Sequence, residues 1–312
     1  VGSADAGRPV DLLAAPSSAA AHWPGQERAW AALEAAGLPQ AIARSRVVAT
    51  RVLFEPARWT AGAAPAGRVR DAARVAAGLG VLRDAVSGSL RSGRLPVVVG
   101  GECTTTIGLV AGARAAGLRP GLVYVDGGVD LRTPADNPTG VADSMALAHL
   151  LALPGCDEDL LAVGPVRPLL GVGEVHALGV RPTEPDAATA GRLGLPRTPA
   201  AQVAADPAGS AAAAAAAVSG PDGFLVHLDV DVVEFLDLPL ADVPDHGQGL
   251  PLDVVAAVLQ RLCAHPGFRG LCTTEVNPDH AAGPDDVGRL VGVLVTALAD
   301  VADVSFPPGS AG

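Results

Sequence analysis

The runs Val97-Val98-Val99 and Leu122-Val123-Tyr124-Val125 are apolar at every position. A strand with one wet face alternates apolar and polar residues, so an unbroken run belongs to a strand covered on both sides. Parallel strands meet that condition, because their crossover connections place helices over both faces. Similar short runs recur, and the predicted strands cover residues 10–14, 47–54, 96–100, 121–126, 174–180, 224–231 and 270–276. Helical periodicity fills the intervals, clearest over 69–91, 107–116, 145–152, 252–265 and 285–299. Residues 198–220, which include the alanine run 211–217, predict a surface helix feeding the strand at Phe224. The alternation predicts one α/β domain over residues 1–312, a three-layer αβα sandwich around a central, mainly parallel sheet.

Composition narrows the function classes. Hydrophobic residues make up 49% and charged residues 18%, which excludes a disordered chain. The formal net charge of −11 provides no basic surface for a phosphate backbone or an anionic membrane, so neither nucleic acid nor membrane is an expected partner. No apolar run approaches the ~20 uncharged residues of a membrane span. Four cysteines, at 103, 156, 263 and 272, lack CxxC spacing and suggest a reducing compartment, so the expected location is cytoplasmic.

In an open parallel sheet, ligands bind at the carboxyl ends of the strands. The polar residues of interest collect there: Gly100-Gly101-Glu102-Cys103-Thr104, Asp126-Gly127-Gly128-Val129-Asp130, His227-Leu228-Asp229-Val230-Asp231 and Thr274-Glu275-Val276-Asn277-Pro278. Two carboxylates ~4 Å apart repel by about 4 kcal/mol at an effective dielectric near 20. Converging Asp126, Asp130, Asp229 and Asp231 must therefore bind a cation, share protons or splay into water. Oxygen donors suit magnesium, calcium or manganese, and an added Cys or His shifts the preference toward zinc.

These four segments resemble, in order and over essentially the whole chain, the ureohydrolases: arginase, agmatinase and formiminoglutamase. Gly100-Gly-Glu-Cys-Thr104 is similar to their Gly-Gly-Asp-His-Ser, and Asp126-Gly-Gly-Val-Asp130 to their Asp-Ala-His-x-Asp. His227-Leu-Asp-Val-Asp231 is similar to Ser-x-Asp-x-Asp, and Glu275-Val-Asn-Pro278 to Glu-Val-Asn-Pro. The resemblance implies an arginase-like fold, a homo-oligomer and a two-manganese site. It also implies hydrolysis of a C–N bond in a small, cationic guanidino, formimino or amide substrate.

The departures lie at the metal ligands. Cys103 replaces the first family His and Gly128 the second. By correspondence, the first metal position keeps Asp126, Asp130 and Asp229 with Cys103 as a fourth candidate. The second keeps Asp126, Asp229 and Asp231 without a nitrogen donor. One manganese or zinc ion is then expected, or none. Cys103 also reads as packing or as a nucleophile, although the sequence places no His to act as its base. His227 lies two strand residues before Asp229, nearly 7 Å deeper, and reads as hydrogen-bonding a ligand from below, as core, or as a metal ligand itself.

The resemblance assigns Glu275 to the substrate's cationic group, with Asn277 beside it. Asp143 stands where the family often has a proton-shuttling His. His246, in an acidic loop, reads as solvated or leaning over the site as a substrate contact. Loops after Ala14 and around 132–139 differ from the arginase pattern, so arginine is not carried over as the substrate. Two readings follow: a divergent C–N hydrolase, or a metal-free relative with a non-hydrolytic role in binding, rearrangement or partnership.

Overall fold

Every residue of β3 (Leu95–Val99) and β4 (Gly121–Val125) is buried, as their unbroken apolar runs require. The computed structural model describes residues 7–62 and 64–302. With β1 (Val10–Ala14), β2 (Val48–Val52), β5 (Val175–Val180), β6 (Arg197–Pro199), β7 (Phe224–Asp229) and β8 (Phe268–Thr274), these strands form one sheet. Its order is β2-β1-β3-β8-β7-β4-β5-β6, and every pairing is parallel.

Period-2 alternation divides the core between the two faces of the sheet. Val97, Val99, Val123, Val125 and Val226 face one side, while Val98, Leu122, Tyr124 and Leu225 face the other. The longer helices are α1 (Ala29–Ala35), α2 (Ala72–Arg91), α3 (Thr105–Ala115), α4 (Pro207–Val218), α5 (Leu252–Cys263) and α6 (Pro284–Ala299). Residues of α1, α4, α5 and α6 cover the first face, and those of α2 and α3 the second. This is the three-layer αβα sandwich expected. Each fully buried Val or Leu contributes about 1.5–3 kcal/mol by leaving water, so the two apolar layers dominate the cohesion of the fold.

One expectation needs correction. The 198–220 stretch is not a purely superficial helix, since Ala211, Ala214, Ala215 and Val218 of α4 are buried against the sheet. Before it lies β6, a three-residue edge strand ending in Pro199, too short to leave a periodic signal. Among the described residues, no helix is long and apolar enough to cross a membrane.

Candidate functional site

β3, β8, β7 and β4 are neighbours at the middle of the sheet, so the four motifs leave their carboxyl ends side by side. β3 and β4 are consecutive in sequence yet separated by two strands, and the loops leaving them flank a crevice. A Cβ on Gly101 would stand 2.0 Å from the Ser17 carbonyl oxygen, so only glycine lets this loop lie against the one following β1. Glu275 adopts the left-handed region at φ 62, a strained conformation that surrounding contacts must hold. Its N–H donates to the Gly101 carbonyl at 2.9 Å, and its Oε1 accepts the Cys103 N–H at 2.9 Å. The first and last motifs thus fix each other.

Cys103 Sγ, His227 Nε2 and one oxygen each of Asp126 and Asp229 lie within 4.8 Å of one another, all on buried residues. The shared rim inferred for Asp126 and Asp229 is therefore formed. Sγ is 3.0 Å from Asp229 Oδ2 and 3.7 Å from His227 Nε2, which is itself 3.5 Å from Asp126 Oδ2. His227 reaches the group despite its Cα spacing from Asp229, because the imidazole extends along the strand. The same contact supplies a His beside Cys103 that the sequence did not locate. Thr106 Oγ1 lies 2.6 Å from His227 Nδ1, and the Tyr124 ring stacks on the imidazole at 3.9 Å.

The other two acids of the set are already engaged. Asp130 accepts the Tyr124 hydroxyl proton through Oδ2. Asp231 accepts the Gly127 N–H at 3.1 Å and pairs with Arg181 at 3.2 Å. Burial alone would lower the Arg181 pKa, but Asp231, Asp126 and Asp229 outweigh it and keep the guanidinium charged. Gly127 is required here, since a Cβ would meet that guanidinium at 2.4 Å.

A second group, Asp143, Asp242 and Glu275, also brings oxygens within 4.8 Å of one another. Burial, then the neighbouring Asp242 and Glu102 carboxylates, pushes Asp143 well above the ordinary Asp range. Burial, followed by Asp143, Asp229 and Asp242, does the same to Glu275. Both residues line a cleft of about 410 Å³ shared with Cys103, Asp229 and Asp231, a volume suited to a small molecule.

His246 does not line that cleft; it is exposed and edge-on to Phe235 at 5.4 Å. Asn277 stands behind the cleft, donating to Asp242 Oδ1 at 2.8 Å and to the Pro24 carbonyl at 3.1 Å. The histidine at the mouth is His22, 3.5 Å from Asp143 Oδ1. His22, Gln26 (which donates to Glu275 Oε2), Arg181, Glu184 and Asp242 escaped the sequence reading, since each lies in a loop or, for Gln26, a single helical turn without motif spacing. Glu184 carries a detectable trace, its pKa pushed up to about 7 by burial and then by Asp126 and Asp186.

The sequence model of the arginase family matches residues 9–299. The chain belongs to the arginase family. It is 27% identical to the arginase of Eremothecium gossypii over 223 residues, 69% of this chain and 55% of that protein. The chain therefore matches about half the length of that curated relative. The arginase of Bacillus caldovelox superposes with a TM-score of 0.81 at 21% identity, covering 93% of this chain and 98% of that one. Formimidoylglutamase of Bacillus subtilis superposes with a TM-score of 0.69 at 15% identity, over 96% and 88% of the two chains. At these identities the two structures establish the shared fold.

The residues do not fit the two-manganese centre that the family resemblance implies. Position 103 offers sulfur, position 128 has no side chain, and Asp231 is neutralised by Arg181. The three atoms nearest a Cβ at 128 would be carboxylate oxygens, of Glu184 at 3.2 Å, Asp126 at 3.4 Å and Asp130 at 3.7 Å.

Proposed function

We propose that this arginase-family protein hydrolyses a C–N bond of a small cationic molecule, of guanidino, formimino or amide type, bound in the cleft at the rim of the sheet. The observation that carries the reading is the placement of Glu275 and Asp143 in one cleft with Cys103 and Asp229. Glu275, held by the Cys103 N–H and Gln26, presents its carboxyl group where a planar amidinium or ammonium group can pair with it, the arriving cation favouring the ionised form that burial and the neighbouring acids oppose. Asp143 Oδ2 is buried without a hydrogen-bond partner. With its pKa raised by burial and the neighbouring carboxylates, it can carry a proton to the leaving nitrogen.

Asn277 serves the substrate indirectly, by fixing Asp242 beside Glu275. His246 stays outside the reading because it does not reach the cleft. Of the candidate metal ligands, Cys103, Asp126 and Asp229 come together with His227, whereas Asp130 is bonded to Tyr124 and Asp231 pairs with Arg181. A single divalent ion at this rim would supply Lewis acidity, and would activate water at a further position opened toward the cleft. Four free cysteines support a cytoplasmic setting, and a homo-oligomer belongs to the same reading by family resemblance.

The test is release of urea, ammonia or formamide from a panel of guanidino, formimino and amide compounds. Turnover of one class is expected, with Asp143→Asn lowering kcat and Glu275→Gln raising KM. If no compound is turned over by protein supplied with manganese or zinc, the hydrolase reading fails. The loss of imidazole at positions 103 and 128 would then favour a non-hydrolytic relative.

A further inference from the structure

A tetrahedral zinc ion, with bonds of about 2.3 Å to sulfur and about 2.0–2.2 Å to nitrogen or oxygen, has ligand atoms about 3.4–3.6 Å apart. The separations here are 3.0 Å from Cys103 Sγ to Asp229 Oδ2, 3.7 Å from Sγ to His227 Nε2 and 3.5 Å from Nε2 to Asp126 Oδ2. They bracket that spacing without backbone movement. We propose that the rim holds one zinc ion between Cys103, Asp126, His227 and Asp229, in place of the manganese pair of the family.

Three independent observations support the assignment. Asp126 is 1% exposed, and its Oδ2 makes no hydrogen bond, although Oδ1 accepts the Gly128 N–H. A buried carboxylate oxygen left without a hydrogen-bond donor calls for a partner, and a cation among the other three donors supplies one. His227 is oriented as ligating histidines are: when Nδ1–H donates to the Thr106 hydroxyl at 2.6 Å, Nε2 presents its lone pair to the group. The stacked Tyr124 ring holds that orientation. A thiolate and an imidazole beside two carboxylates are softer donors than manganese prefers and suit zinc. Asp130 and Asp231, tied to Tyr124 and Arg181, leave the set at four.

The inference takes from the proposed function only that this rim is the working site, and its test needs no substrate. Elemental analysis of protein purified without chelator should give one zinc per chain. The cobalt-substituted protein should show thiolate-to-cobalt charge-transfer absorption in the near ultraviolet. Cys103→Ser should abolish that band, and His227→Gln should weaken zinc binding by at least about 10–100-fold, the loss typical of even indirect partners. Circular dichroism of each variant separates loss of the ion from loss of the fold. Two ions per chain, a preference for manganese, cobalt binding without the thiolate band, or no uptake of any metal would each overturn the assignment. One zinc without turnover of the substrate panel would uphold it while the hydrolase reading failed.

Discussion

Position 128 shows how one missing side chain changes a site. Glycine there leaves three carboxylate oxygens, from Glu184, Asp126 and Asp130, as the nearest neighbours of a would-be Cβ. The closest, Glu184 Oε2 at 3.2 Å, sits at the end of a flexible side chain that can yield by a few tenths of an ångström. The double variant Gly128→His with Cys103→His should therefore be accommodated and should raise manganese affinity. Residues that merely hydrogen-bond to a metal's ligands are worth about 10–100-fold, so two restored imidazoles should give at least that in a calorimetric titration. An affinity equal to wild type would mean that the backbone of residues 126–130 no longer follows the family's geometry. Hydrolysis of simple guanidines need not return with the metal, because Asp143 and the loop residues around it are unchanged.

Between elements, buried polar contacts hold what short helices cannot hold alone. His149 is 2% exposed on the five-residue helix Ala146–Leu150, with Nδ1 2.8 Å from the Met145 carbonyl. Its Nε2 accepts the N–H of Asp157, the cap of the helix Glu158–Leu161, so the ring must be neutral. Burial pulls its pKa below the ordinary value. The unfolded chain then binds the extra proton first as pH falls, so this contribution is complete above about pH 6.5 and is lost below it. Urea midpoints measured between about pH 7 and about pH 5 should fall less steeply for His149→Gln, whose carbonyl can still accept the amide. An unchanged slope would show that His149 is not the group titrating. Contacts of this kind left no trace in the sequence, whereas the strands did. Both-face burial made β3 and β4 readable from their valine runs, while β6 was lost because three residues ending in proline carry no period. The same division holds at the site. Strand-end acids announce themselves by position, but the reach of His227 and the loop residues His22, Arg181 and Glu184 depend on packing between distant segments.

Taken as a whole, the molecule directs negative potential toward one rim. A chain of formal charge −11 places Asp130, Asp143, Glu184, Asp229, Asp231 and Glu275 around a cleft in which Arg132 and Arg181 are the opposing charges. Low-dielectric walls focus such a field, raising the local concentration of cations and their rate of arrival. Bound zinc and the raised pKa values of Asp143 and Glu275 would reduce the field without reversing it, since Arg181 is already matched by Asp231. Steering of this kind acts over the Debye length, which shrinks from about 30 Å at 0.01 M salt to about 3 Å at 1 M. The on-rate of a guanidinium ligand, followed by stopped-flow fluorescence of the tryptophans, should therefore fall steeply as salt rises. A neutral ligand of the same shape, such as the corresponding urea, should be nearly indifferent, and the off-rates of both should change little. Equal salt dependence for the charged and neutral ligands would place the effect on the protein's conformation. No dependence for either would mean that the acids around the cleft are neutralised before the ligand arrives, and the case for a cationic substrate would lose its electrostatic basis.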